Sequence, residues 1–221
     1  KWLQENYTIA QLVTISGLSG RTLLNAIHEQ LEGEPSVVAH HRESQYLIFD
    51  GTYLYKRVLA LGVFCDEETG KVVAWKYGLY ENSLAQLLAF FTQMRSQGIT
   101  PVSCTVDGNP HVIRALRHVW PPILIQRCII HVQRQGLMWC RIHPKTIVAK
   151  QLRMLFIALL HIHTHEERDS WLKQVYAWNI QHRRLFEGAM RGWVMSDLKR
   201  AQSMLLKSLP NLFHYIDDKK I

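Results

Sequence analysis

The sequence lacks any apolar run approaching the ~20 residues a membrane span needs; the longest, such as Leu155 to Leu160, stop far short. Cysteine is scarce: Cys65, Cys104, Cys128 and Cys140 form no Cys-x-x-Cys pair. This spacing excludes a dense disulfide framework and points to reduced thiols packed as small hydrophobes in a cytosolic protein. Internal repeats and low-complexity tracts are absent, which excludes solenoid and fibrous architectures. Acidic excess is missing as well, with 26 Lys and Arg against 18 Asp and Glu, a net charge of +8, and a pI of about 9.4. A basic balance selects a polyanionic partner. No segment reads as a long basic amphipathic helix with a wide apolar face, so nucleic acid is expected rather than a membrane surface. What is present in quantity is apolar: 48% of residues are hydrophobic, enough for a real core and too many for wholesale disorder. No targeting peptide is visible, and a chain opening on Lys1 is expected to be a fragment.

The apolar spacing predicts an α/β protein in three parts. Residues 1–36 carry two short helical patterns, Thr8 to Ile15 and Arg21 to Leu31, separated by Ser16-Gly17-Leu18-Ser19. Gly17 suits a left-handed turn, Leu18 is expected to plug the groove between the helices, and Ser19 suits an N-cap. This is helix-turn-helix spacing, in which the second helix would expose Arg21, Asn25 and His28 to phosphates or base edges. A plain helical hairpin that only packs would share the same pattern. Glu32-Gly33-Glu34-Pro35 ends the unit.

From residue 44 to 130 the period changes. Tyr46 to Asp50, Val58 to Cys65 and Val72 to Leu79 read as strands, with Gly70 at a hairpin turn. A helix from Ser83 to Gln97 follows, then a strand Pro101 to Val106, a helix His111 to Val119 and a strand Ile123 to Gln126. The order β-β-β-α-β-α-β predicts a mixed sheet in which an antiparallel meander joins parallel crossover strands. Residues 131–221 read as an all-α subdomain.

Two carboxylates stand out. Asp50 and Asp107 each follow an apolar strand and precede glycine. If those strands are neighbours, the acids converge, and their repulsion calls for a cation between them. Mg²⁺ suits such a pair, since it binds few carboxylates and keeps water and phosphate oxygens as its other ligands. Two such ions about 4 Å apart can serve phosphoryl transfer. Asp-Gly is also an ordinary turn signal. Gln126-Arg127-Cys128-Ile129-Ile130-His131 places Cys128 and His131 on one helical face beside the carboxylates. A zinc site shared with Cys140 and His143 is the lesser alternative. His161, His163 and His165 alternate and fit a helix junction. Lys56, Arg57, Arg114, Arg117, Arg127 and Arg134 are candidate phosphate contacts, although any one of them can be a simple solvated charge.

Three strings together, Phe49-Asp50-Gly51-Thr52-Tyr53, Thr105-Val106-Asp107-Gly108 and Gln126-Arg127-Cys128-x-x-His131, resemble the core of DDE transposases of bacterial insertion sequences, the Mutator-like group. Tyr80-Glu81-Asn82-Ser83 adds to the likeness, which spans about residues 45–216. The resemblance implies an RNase H-like catalytic domain with Asp50 and Asp107 as metal-binding catalytic acids, Mg²⁺ or Mn²⁺ as cofactor, and an all-α insertion after the Cys-x-x-His signature. It further implies double-stranded DNA as partner, element ends and target alike, with a homo-oligomer assembled on it and a cytoplasmic, nucleoid-associated location. The implied reaction is metal-dependent phosphodiester hydrolysis followed by strand transfer. The family's third acid, a Glu on a helix beyond the insertion, has no counterpart here. Glu187 and Asp217-Asp218 lie in no matching motif, and Glu81 is accounted for by the favourable end of a helix dipole. The expectation is therefore a chain that binds DNA and cleaves poorly. An inactive DNA-binding remnant or regulator, and a structure-specific nuclease of the same fold, are the alternatives.

Overall fold

The computed structural model describes residues 7–32, 45–55, 59–187 and 193–221. The chain divides into two units, residues 1–39 and 40–221.

In the first unit, helix α1 (Ile9–Ser16) starts on a capping box: Thr8 accepts from the Gln11 amide, and the Gln11 side chain accepts from the Thr8 amide. Gly17 ends it with φ 71°, its amide donating to the Val13 carbonyl, a conformation that glycine adopts without penalty. Helix α2 (Gly20–Glu32) follows, and the Ser19 hydroxyl accepts from the Thr22 amide at 3.1 Å as its N-cap. Gly20 opens α2 against α1, where a Cβ would stand at ordinary van der Waals distance from the Ile9 and Val13 methyls. The expected plug does not form. Leu18 is 48% exposed and lies in the turn between the helices.

In the second unit, strands β1 (Tyr46–Tyr55), β2 (Leu59–Asp66) and β3 (Val72–Leu79) form the antiparallel meander. Asp66 shapes the β2–β3 hairpin by accepting from the Thr69 amide and hydroxyl, and Gly70 turns the chain with φ 65°. Helix α3 (Leu84–Ser96) crosses back to β4 (Ser103–Val106), and α4 (Pro110–Val119) leads to β5 (Leu124–Arg127). The sheet order is β3-β2-β1-β4-β5, with β1, β4 and β5 mutually parallel. Both crossovers pack one face of the sheet around Phe49, Phe64, Phe90, Phe91 and Trp120, with ring centroids 4.7 to 6.1 Å apart.

Helices α5 (Ile129–Cys140), α6 (Ile147–Ala158), α7 (His165–His182), α8 (Trp193–Ser208) and the short α9 (His214–Asp217) follow. They enclose a second core built on Phe156, Leu152, Trp171, Trp178 and Phe213. His161, His163 and His165 lie at the junction between a 3₁₀ turn and α7, where Thr164 caps the helix with Glu167. Among the described residues no helix is long and apolar enough to cross a membrane.

Candidate active site

Strands β1 and β4 pair in parallel from Tyr46↔Ser103 to Phe49↔Val106. Phe49 and Val106 are 3% and 1% exposed, so they face the core. Asp50 and Asp107 are the next residues along, the first still in β1 and the second just past the end of β4. Sequence-distant acids are thus neighbours, and both side chains are exposed. The expectation that Asp50 closes its strand is corrected here. β1 runs on to Tyr55, with Asp50↔Val63 and Gly51↔Gly62 still paired to β2. Asp50 stands instead where β1 loses its other neighbour, because β4 stops at Val106.

The turn after β4 is closely specified. The Asn109 amide donates to Asp107 Oδ1 at 2.9 Å, and Asn109 Oδ1 caps α4 by accepting from the His111 amide at 2.9 Å. Gly108 between them has φ 100°. Over it lies Arg127: a Cβ on Gly108 would collide with the guanidinium, and Arg127 Nη2 donates to the Asp107 carbonyl at 2.9 Å. Arg127, expected to reach a phosphate, is only 9% exposed, and its buried Nε has no partner. Burial pulls its pKa below the usual arginine range, while nearby Asp107 opposes that shift.

Glu81 completes the arrangement. Its carboxylate lies over Gly51, where a Cβ would fall 2.6 Å from Glu81 Cδ. The Tyr53 hydroxyl donates to Glu81 Oε2 at 3.4 Å, and Asn109 Nδ2 donates to the Glu81 carbonyl at 3.3 Å. Burial raises the Glu81 pKa first, Asp107 adds to it, the Tyr53 bond opposes, and Asp50 adds a smaller push. Its expected partnership with the helix dipole gives way to these contacts; α3 is capped by Ser83, which accepts from the Gln86 amide at 3.4 Å. Tyr53 belongs to the motif that carries the resemblance, although nothing local to it announced the contact with Glu81.

Cys128 caps α5 and donates its amide to the Val106 carbonyl at 2.8 Å, which ties the Cys-x-x-His segment to the strand that ends at Asp107. His131 lies one turn on, with a buried Nδ1 that has no partner. Cys140 is 1% exposed in the helical core, and burial pushes its thiol up to about 12. A neutral thiol among apolar side chains does not suit zinc, which binds thiolate. Arg21 and Asn25 are exposed on α2 and His28 is half-buried; Arg114, Arg117 and Arg134 are exposed on α4 and α5. Lys56 and Arg57 lie outside the described residues.

Among the described residues no group of three or more His, Cys, Asp or Glu is arranged to hold a metal ion. The donors that do converge are hard carboxylate oxygens. Asp107 and Asp50 both push the Glu81 carboxyl upward, so the three acids lie within electrostatic reach of one another. That chemistry fits a hard divalent cation held by two carboxylates.

The family model described as "Transposase, Mutator family" matches residues 46–193, well over half of the chain. The chain belongs to the Mutator family of transposases. A search of curated proteins finds no match. The matched span of this transposase opens at the first residue of β1 and closes at the first residue of α8, so it contains Asp50, Glu81, Asp107, Arg127, Cys128 and His131. The α1–α2 unit lies outside it.

Proposed function

We propose that this transposase domain has an RNase H-like fold and cuts and joins DNA phosphodiesters with Asp50 and Asp107 as metal-binding catalytic acids. The observation that carries the reading is the register of β1 on β4, which sets the two acids side by side just past Phe49↔Val106. The sheet order β3-β2-β1-β4-β5, with an antiparallel meander on one side and parallel strands on the other, supports the fold assignment. Mg²⁺, or Mn²⁺, would be held by Asp50 and Asp107, and when bound it supplies charge neutralisation for attacking and leaving phosphate oxygens. Gly51 and Gly108 keep the backbone low beside the acids, but each space is taken by a partner, Glu81 and Arg127. Arg127 holds the Asp107 turn through its carbonyl, and Asn109 fixes the Asp107 carboxylate from the other side. Glu81 is a third carboxylate facing the pair, able to accept a proton more readily than an ordinary glutamate because its pKa is raised. The α1–α2 hairpin would contribute element-end recognition through Arg21, Asn25 and His28, and the complex on DNA would be a homo-oligomer in the nucleoid.

The test is metal-dependent cleavage of a duplex carrying the element end by the protein and by its Asp50→Asn and Asp107→Asn variants, with DNA binding followed in parallel. Binding retained and cleavage lost in both variants is the expected outcome. Cleavage that survives either change overturns the assignment. Binding without cleavage in the unaltered protein identifies the inactive DNA-binding alternative instead.

A further inference from the structure

The positive charge of the chain is not evenly spread. Residues 129–221 hold fifteen Lys and Arg against seven Asp and Glu, whereas residues 1–128 hold eleven of each. The whole excess of eight therefore belongs to the helical part of the sequence.

Within that part, Arg153 on α6, Arg200 on α8 and Arg141, just past the end of α5, come together at one corner. Arg141 Nη2 lies 2.8 Å from Asp197 Oδ2, and Arg200 Nη1 lies 3.5 Å from Asp197 Oδ1. Arg153 on α6 donates to the Arg141 carbonyl at 3.0 Å and the Leu137 carbonyl at 3.5 Å. Two guanidinium groups thus share one carboxylate, with the third tied to the backbone beside them; Asp197 is 14% exposed while Arg200 remains 64% exposed. The loop leaving this corner, residues 141–146, carries exposed His143 and Lys145.

The backbone at the corner is also unusual. Arg141 has φ 69° and ψ 161°, and among the described residues it is the sole non-glycine with positive φ. That conformation is costly for a residue with a Cβ and persists only when its surroundings over-determine it. Here the amide donates to the Met138 carbonyl at 3.3 Å, the carbonyl accepts from Arg153, and the guanidinium is held by Asp197. The strained backbone holds the Arg141 guanidinium on Asp197 while leaving that side chain 43% exposed. A guanidinium fork held in place suits bidentate recognition of phosphate oxygens.

We infer that this corner, Arg141 and Arg200 on Asp197 with Arg153 tied to the Arg141 carbonyl and Lys145 on the loop that leaves it, docks the phosphate backbone of duplex DNA. The inference rests on the DNA-transposase reading above and adds a surface that the acid pair does not provide. Asp197 orients the arginines and at the same time weakens their field, so its removal has an effect opposite in sign to theirs.

The experiment measures fluorescence anisotropy of a labelled duplex of arbitrary sequence with the whole chain over a series of salt concentrations. In the Arg200→Gln/Lys145→Gln variant the slope of log K against log salt is expected to fall by roughly 0.9 for each phosphate no longer neutralised. Asp197→Asn is expected to melt at lower temperature and yet bind the duplex more tightly, a gain that a purely structural role would not produce. Lys71→Gln on the β2–β3 hairpin is expected to leave the slope unchanged. If the unaltered chain binds duplex and the corner variants match it in slope and affinity, the inference is overturned while the transposase reading stands. If the unaltered chain does not bind duplex at all, the transposase reading itself fails. Preferential displacement of the duplex by single-stranded RNA also overturns the inference, in favour of an RNA surface.

Discussion

Replacing Gly108 with alanine tests how Asp107 is held. Gly108 has φ 100°, where an L-residue is strained by about 1–3 kcal/mol. The new methyl would also occupy the position of the Arg127 guanidinium. Arg127 is 9% exposed, so it has no open solvent to swing into without dragging its neighbours. Displacing it breaks the 2.9 Å bond from Nη2 to the Asp107 carbonyl, and a bond from a charged donor contributes about 1.5–3 kcal/mol. Together these predict a loss of about 3–5 kcal/mol, which for a chain of this size lowers the melting temperature by roughly 6–20 °C. Thermal unfolding by circular dichroism measures it. A double-mutant cycle separates the two contributions: in an Arg127→Ala background the collision is gone, and Gly108→Ala should cost only the backbone strain. The expected coupling is about 1.5–3 kcal/mol, well outside the range for independent sites. Equal costs in both backgrounds would refute the view that Arg127 is wedged over the Asp107 turn.

Two further outcomes follow from the buried ionisable groups. The raised pKa of Glu81 means that its protonated form favours the fold, so its stabilising effect is present below about 4.5 and is lost as pH rises through the shifted value. Glu81→Gln, without divalent cation, should therefore raise the melting temperature at neutral pH and converge on the unaltered protein in acid; a gain independent of pH would contradict this. Cys104 and Cys140 are 0% and 1% exposed, and burial raises both thiols, Cys140 to about 12. Neither should be alkylated by iodoacetamide in the native protein at mildly alkaline pH, and both should react once it is unfolded. Mass spectrometry of the modified peptides reads the result, and rapid native labelling of either would count against the packing described.

The sheet was legible because its apolar runs, its hairpin glycine and its helical spacings are local signals. The strand neighbours that bring Asp50 to Asp107 were legible for the same reason, since a meander followed by crossovers leaves few topologies. The misreadings share a physical origin. Asp50-Gly51 carries a turn signal, but pairing of Gly51 with Gly62 extends the strand through it. Glu81 and Arg127 were read by local rules, one as a helix-end acid and the other as a candidate phosphate contact. Each instead fills the space left by a distant glycine, Gly51 and Gly108 respectively. No local pattern announces that a glycine's missing side chain will be occupied by a charged residue from another strand or turn. The corner at Asp197 escaped notice for a related reason: its arginines come from the loop after α5, from α6 and from α8, and only the tertiary packing makes them neighbours.

The two cores of the second unit are joined where the site is supported. Gln126 on β5 is 3% exposed and donates from Nε2 to the Arg127 carbonyl at 2.8 Å and to the Leu212 carbonyl at 2.9 Å. Its Oε1 accepts from the His214 amide at 3.0 Å. A buried amide satisfied on both sides registers the end of the helical region against the strand that carries Arg127. Arg127 in turn touches Gly108 and the Asp107 carbonyl. Cys128 makes a second tie, its amide bonded to Val106, the residue before Asp107. The helical subdomain is therefore built onto the turn that presents the second acid. Its cationic surface and the carboxylate pair belong to one folded unit, and β5 is the element through which a load on one side would be felt at the other.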